Sequence, residues 1–321
     1  MNIPMGREDI ARLFQNCIQG DRLAQAYIIC ADKGMGKKTI AEYAASLMLC
    51  RNHTSCGECP SCKSLAAHTH PDVVELRRSE DKATLSVDNV RAVKGEVYTK
   101  PAMADYKVVT VYEMHLATPA AQNAMLKMIE EPPERVVFLM LCDTMSPILQ
   151  TIVSRSVVID LKPLPGSVLK QISGATDFEI SASEGNIGRL MRLKEDADYV
   201  SFRDEVVDSF ASLASQDPYA PYEASARIDK LKAHREEVFG VLLMFVRDAY
   251  LRSRGLTEQI VNKDKINYID SFAGKLSPAQ IWRIMNLILE AEREKGKNGN
   301  FSIAVTVLFL RCQAAMKKQK G

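Results

Sequence analysis

The sequence predicts a three-layer α/β domain with a parallel sheet, then a small helical connector, then an all-helical C-terminal domain. Three observations carry this. Short apolar runs rich in β-branched residues recur through the first 160 residues, helical patterns lie between them, and after residue 200 a 3.6-residue period dominates. The runs are AYIIC (26–30), DVVEL (72–76), KVVTV (107–111), RVVFLMLC (135–142) and VVIDL (157–161). They are continuous rather than alternating, which suits strands covered on both faces. The clearest intervening helix is 118–131, with Thr118 as N-cap, Pro119 in the first turn and Pro132-Pro133 as the stop. Ala120, Ala124, Met125, Met128 and Ile129 are expected to form its apolar face. KPLPG (162–166) reads as a turn or linker, followed by a short helical stretch and SEGNIGRLMRL (183–193). Helical segments near 201–215, 226–253, 277–295 and 301–317 fill the last domain. Gly296 and Gly299 punctuate its final hairpin and Asn300 caps the last helix. The expected domains are 1–162, 163–200 and 201–321.

Composition narrows the function classes. Of 321 residues, 42 are Lys or Arg and 40 are Asp or Glu, a net charge of +2 that is too small for coating nucleic acid or an anionic membrane by charge alone. A hydrophobic content of 46% excludes global disorder. The longest uncharged apolar runs, such as FSIAVTVLFL (301–310), are too short to span a bilayer, and MNIPMGREDIARL carries charge where a signal peptide needs an apolar stretch. A cytoplasmic protein is expected. Of eight cysteines, Cys50, Cys56, Cys59 and Cys62 crowd into thirteen residues while Cys17, Cys30, Cys142 and Cys312 are scattered, unlike a secreted disulfide framework.

Residues 26–41, AYIICADKGMGKKTIA, read as strand, glycine turn, lysine, helix, the context in which backbone N–H groups converge on a phosphate. Gly34, Gly36 and Lys37 fit such a loop, but Ala31 stands at the first glycine position and Lys38 where a Mg²⁺-holding hydroxyl belongs, with Thr39 one residue late. On this segment alone a working loop, a degenerate one and a plain glycine turn all remain open. A hydrolytic site also wants Asp-Glu at the end of a second strand, and KVVTVYEMH offers Tyr112-Glu113 instead. A phenol is a poor Mg²⁺ ligand at neutral pH, so two magnesium-handling positions are altered together. The four clustered cysteines suit tetrahedral Zn²⁺ in a closed, structural site; an iron–sulfur cluster is the alternative, and His53 is not needed as a ligand. Arg155, in ILQTIVSRSVVIDL, could reach a phosphate on a neighbouring subunit or serve as a surface ion pair. His115 reads as a packing residue, Lys317, Lys318 and Lys320 as a solvated tail, and no hydrolase triad is visible.

Taken in order, QAYIICADKGMGKKTIAEYAASLMLC, the four-cysteine loop, THPDVVEL, AQNAMLKMIEEPPE and TIVSRS resemble the bacterial clamp-loader family of AAA+ proteins, subunits of DNA polymerase III that open the sliding clamp and place it on primed DNA. The resemblance covers essentially the whole chain, through EGNIGRLM (similar to the sensor-2 helix of a lid domain) and GNFSIAVTVLFLRC in what the family uses as a circular collar. It implies an AAA+ P-loop domain with an inserted zinc module, no nucleotide hydrolysis by this chain, and neither ATP nor Mg²⁺ bound. It implies structural zinc on Cys50, Cys56, Cys59 and Cys62. Ser154 and Arg155 match a serine-arginine-cysteine motif with Ser156 in place of the cysteine, implying that Arg155 is an arginine finger acting in trans, and Arg189 matches the sensor-2 arginine. The implied partners are the gamma/tau and delta clamp-loader subunits, with the sliding clamp and primer-template DNA inside the assembly. No membrane is implied. Cys142-Asp143-Thr144 falls near the sensor-1 region without a match, so no role is assigned there. The competing readings are an active gamma/tau-like ATPase, in which Thr39 or Glu113 compensates, and an interaction scaffold folded around zinc.

Overall fold

A computed structural model describes residues 3–79, 82–196, 198–231, 234–235, 237–294 and 300–317. The chain divides into two compact units, residues 1–174 with 185–189, and residues 175–184 with 190–321. The segment 163–200 is shared between them.

In the first unit, β1 (Ala26–Cys30), β2 (Val73–Leu76), β3 (Lys107–Val111), β4 (Val136–Cys142) and β5 (Val157–Asp160) form one parallel sheet in the order β2-β3-β4-β1-β5. Each strand falls within one residue of its expected run. Parallel neighbours need long crossovers, and helices supply them: α2 (Lys37–Leu49), α3 (Pro60–Ala66), α4 (Val87–Val97), α5 (Pro119–Glu130) and α6 (Gln150–Val153), with α1 (Glu8–Gln19) ahead of β1 and α7 (Gly166–Ser173) after β5. Tyr27, Ile29, Val108, Leu139 and Leu141 pack with α1 and α2 on one face. Ile28, Val109, Val111, Phe138 and Met140 pack with α4 and α5 on the other. Burial on both faces is why the strands read as continuous apolar runs. At the β5 edge, Val157 and Val158 are exposed.

Helix α5 starts as expected, Thr118 Oγ1 accepting from the Ala121 N–H at 3.2 Å with Pro119 at the first position. Its buried face is Ala121, Met125, Met128 and Ile129, with Ala124 half-buried and Ala120 exposed. The expected assignment of Ala120 to that face is corrected: at 100° per residue, Ala121 aligns with Met125 and Met128, and Ala120 points away.

Just before β2, Asp72 is fully buried and its carboxylate accepts from the N–H groups of Ala102 (2.6 Å), Met103 (2.8 Å) and Ala104 (2.8 Å). Its own N–H donates to His70 Nδ1 at 3.0 Å. One side chain thereby closes the loop that leads into β3. Asp72→Ala strands three amides and is expected to lower unfolding free energy by about 3 kcal/mol in urea titration. A loss within experimental error would mean that other contacts hold the loop.

The second unit is helical among its described residues: α8 (Asp177–Ser183), the later part of α9 (Ile187–Glu195), α10 (Tyr199–Ala211), α11 (Ala220–Lys230), α12 (Val238–Ser253), α13 (Ile266–Lys275), α14 (Pro278–Glu294) and α15 (Phe301–Met316). Phe210, Phe245, Phe272 and Phe309 stack at its centre with ring centroids 5.4–6.3 Å apart. Two expectations are corrected. The segment 226–253 is divided between α11 and α12, and α13 was not anticipated. Asn300 caps α15 as expected, its Oδ1 accepting from the Ser302 N–H at 3.0 Å. Gly296, Gly299, Lys318 and Lys320 lie outside the described residues. No described helix is long and apolar enough to cross a membrane.

Candidate functional site

The loop 31–36 leaves the end of β1, which lies between β4 and β5. Crossovers diverge at such a point, and a crevice opens there at the C-terminal ends of the strands. Gly34 (φ +92°) and Gly36 (φ +89°) take the left-handed conformation that L side chains disfavour, and Lys37 opens α2. The tight glycine turn that a phosphate loop needs is therefore present.

What that loop holds is its own chain. Lys37 Nζ donates to the carbonyls of Ala31 (2.6 Å) and Asp32 (2.9 Å) and pairs with Asp143 Oδ1 at 2.7 Å. The register pairing Cys30 with Cys142 puts Asp143, the first residue beyond β4, across from Ala31. His115 holds it there: the Asp143 N–H donates to His115 Nδ1 at 3.1 Å, and Nε2 lies 3.7 Å from Asp143 Oδ2. Accepting at Nδ1 places the neutral imidazole's proton on Nε2, toward the carboxylate. His115 thus does more than pack, and the unassigned Asp143 fills the seat in which an anion would neutralise Lys37.

The start of α9 closes the loop from another side. The Gly188 N–H donates to Gly34 O at 2.9 Å, Asn186 Nδ2 donates to Lys33 O at 2.9 Å, and Asn186 Oδ1 accepts from the Arg189 N–H at 3.0 Å. A Cβ on Gly188 would lie 2.7 Å from Gly34 Cα, so this approach requires glycine. Arg189 is placed in the first turn of α9, beside the loop.

The two positions that a magnesium site would use are engaged by other residues. Lys38 faces Glu42 at 3.6 Å along α2. Tyr112 donates its hydroxyl to Glu75 Oε1 at 2.8 Å, and the Arg77 guanidinium sits 3.4 Å from the centre of its ring. Burial, and then the Glu75 carboxylate, push the Tyr112 phenol far above its ordinary range, so it stays protonated. Arg77 hydrogen-bonds Glu75 and holds that carboxyl below its usual range. Glu113, at φ +50°, pairs with Arg78 Nε at 2.8 Å. Arg78 lies just past the end of β2, not in the loop 31–36.

The cysteine cluster assembles where α2 ends and α3 begins. Its four sulfurs lie within 4.8 Å of one another, with Cys50–Cys56 at 3.7 Å and Cys56–Cys62 at 3.9 Å. Tetrahedral Zn–S bonds of about 2.3 Å put sulfurs about 3.8 Å apart, so the arrangement fits. The Cys59 and Cys62 N–H groups donate to Cys56 and Cys59 sulfur, both at 3.4 Å, as suits thiolate acceptors. Burial, with Cys59 and Cys50 adding to it, pushes the Cys62 thiol up to about 12. At Cys50, burial acts the same way but is outweighed by hydrogen bonds led by the Cys56, Asn52 and Thr54 amides, which bring the thiol down to about 5. His53 is engaged elsewhere, Nδ1 3.0 Å from Leu47 O and Nε2 3.4 Å from Asp105, and is not a ligand. Four cysteines in this cluster could hold a metal ion in a closed shell, with no position left for a substrate.

Arg155 follows α6, whose entry is fixed by a residue that the sequence did not flag. Gln122 of α5, buried, donates to the carbonyls of Ala117 (3.0 Å) and Pro147 (2.9 Å) and accepts from the Leu149 N–H at 2.8 Å. It fixes the entry into α6 and with it Arg155. The arginine Nη1 donates to Thr151 O at 3.1 Å, and Nη2 pairs with Glu130 Oε1 at 3.1 Å. Its side chain is 45% exposed, beside the solvent-facing Val157 and Val158. The geometry is that of a surface guanidinium with its approach open.

Residues 6–165 match the family described as DNA polymerase III, delta subunit, and residues 197–313 match its C-terminal counterpart. The DNA polymerase III subunit delta′ of Escherichia coli (strain K12) is 30% identical over 97% of this chain and 95% of its own length. The delta′ subunit of Pseudomonas aeruginosa is 37% identical over 45% of this chain and 44% of its own. The tau subunit of Bacillus subtilis (strain 168) is 26% identical over 63% of this chain, and the match spans 38% of that longer protein. Among solved structures, a gamma subunit-related protein of Thermotoga maritima aligns with a TM-score of 0.44 at 15% identity, covering 97% of this chain and 100% of its own. Matches in both halves, and a relative aligned almost end to end, lead to one assignment: this chain belongs to the DNA polymerase III delta′ subunit family.

Proposed function

We propose that this chain is a clamp-loader stator of the bacterial replicative DNA polymerase III holoenzyme, a cytoplasmic assembly. It binds no ATP of its own, helps place the sliding clamp on primed DNA, and lends Arg155 to the ATP site of a neighbouring gamma/tau subunit. Its partners are the gamma/tau and delta subunits, with the clamp and primer-template DNA inside the assembly. Residues 163–200 act as the lid and 201–321 as the collar segment. The four-cysteine site carries structural zinc.

The observation that carries this reading is the Lys37–Asp143 pair. A nucleotide phosphate would have to displace a carboxylate already held 2.7 Å from the lysine and positioned by His115. The protonated phenol of Tyr112 and the paired Glu113 leave Mg²⁺ without the ligands of a hydrolytic site. An active gamma/tau-like ATPase is therefore not favoured.

Calorimetric titration of the metal-replete chain with ATP, with and without Mg²⁺, tests it. No binding heat is expected. In the Asp143→Ala variant Lys37 loses its anion, and affinity for inorganic phosphate is expected to rise about tenfold. Tight, magnesium-dependent ATP binding by the unaltered chain would restore the motor reading.

A further inference from the structure

The finger role of Arg155 belongs to the reading above; what orients the finger does not. We propose that Glu130 is the positioning residue of Arg155, ion-pairing its guanidinium from behind so that it meets the neighbour's phosphate pre-oriented.

Arginine has a long, flexible stem, and ordering it during the reaction would raise the barrier. In this chain three groups order it beforehand, Ser154 Oγ also accepting from Nη1 at 3.5 Å. Thr151 O accepts from Nη1 and Glu130 pairs with Nη2, both at 3.1 Å, while Nε has no partner among the described residues. The Nε N–H is left for a phosphate oxygen. Thr151 and Glu130 are on helices whose junction Gln122 locks, since the same α5 that ends in Glu130 grips Pro147 O and the Leu149 N–H ahead of α6.

Glu130 is also placed against local electrostatics. It is the last residue of α5 and Glu131 is its C-cap, so two carboxylates stand at the negative end of the helix dipole, where cations are favoured. Helix stability does not explain an acid there; an arginine across the gap does. A shallow hollow of about 410 Å³ is lined by Gln25, Ile129, Glu130, Glu131 and Arg155, so the pair borders an open surface.

The experiment uses the reconstituted clamp-loader complex carrying Glu130→Ala, the isosteric Glu130→Gln, or Glu130→Asp in this subunit. Assembly is checked by gel filtration. Because an exposed pair biases orientation only modestly, the ATPase kcat assigned to the adjoining site is expected to fall about two- to fivefold in the Ala and Gln variants, at unchanged KM for ATP. The Asp variant, which keeps the charge, is expected to recover part of the loss. In an Arg155→Ala background, Glu130→Ala is expected to cost nothing more, because it acts only through Arg155. If Arg155→Ala lowers kcat while all Glu130 variants match the parent, the positioning role is overturned and the finger stands. An additive loss in the double variant also overturns it. If Arg155→Ala itself changes nothing, the finger reading and this inference fall together.

Discussion

Replacing Arg155 with Ala in the assembled clamp loader is expected to lower ATP turnover at the one adjoining site by about a thousandfold or more, the scale on which fingers supplied in trans act. Total ATPase is then expected to drop by that site's share, and clamp loading with it. The guanidinium is permanently charged, planar and weakly hydrated, so Arg155→Lys is expected to restore little. The chain itself should melt as before: Arg155 is 45% exposed and its pairing with Glu130 is a surface pair, so the stability change stays within about 0.5 kcal/mol. Single-turnover hydrolysis in the reconstituted complex measures the effect directly. Undiminished turnover at every site would remove the finger and leave a scaffold.

Stripping the metal from the four-cysteine site is expected to have the largest effect on the chain alone. Four sulfurs within 4.8 Å of one another place like charges together once the thiols ionise, and only a cation reconciles them. The purified chain is expected to carry one zinc. A strong chelator, or Cys56→Ser with Cys59→Ser, should cost the 50–66 segment about 5 kcal/mol or more of local stability. Hydrogen exchange of those amides reads this, and protection in β1 and β4 should persist. Thiolates must shed protons to bind, so acid competes with the metal: affinity is highest above neutral pH and is lost as pH falls. Metal-free protein with unchanged protection would sink the structural role. A coloured, iron-bearing chain would replace zinc by an iron–sulfur centre.

What the sequence made legible follows physical range. The five strands, the glycine loop and the cysteine cluster are local patterns, and they fall where read. The role of Asp143 was not legible. It depends on β4 lying beside β1 with Cys142 against Cys30, a pairing across more than a hundred residues that no local period encodes. Gln122 was hidden because a glutamine on a helix reads as solvent-facing until the loop that it grips is in place. Glu130 was quoted within a motif, yet its partner is on another element. In the helical unit, the apolar period continues across the join between α11 and α12, so the break between them left little trace.

A binding site that is filled from within has a different dependence on the cell than one filled from solution. Asp143 is tethered to Lys37 by the fold, so its effective concentration is fixed and does not follow the adenylate pool. The Gly188–Gly34 bond sets the start of α9 against the loop in the same unconditional way. On the proposed reading, what would be a fuel-sensing variable is a constant of the sequence. As a stator, the chain keeps this loop filled through every cycle of starvation and plenty, giving ATP-driven neighbours a fixed reference to work against.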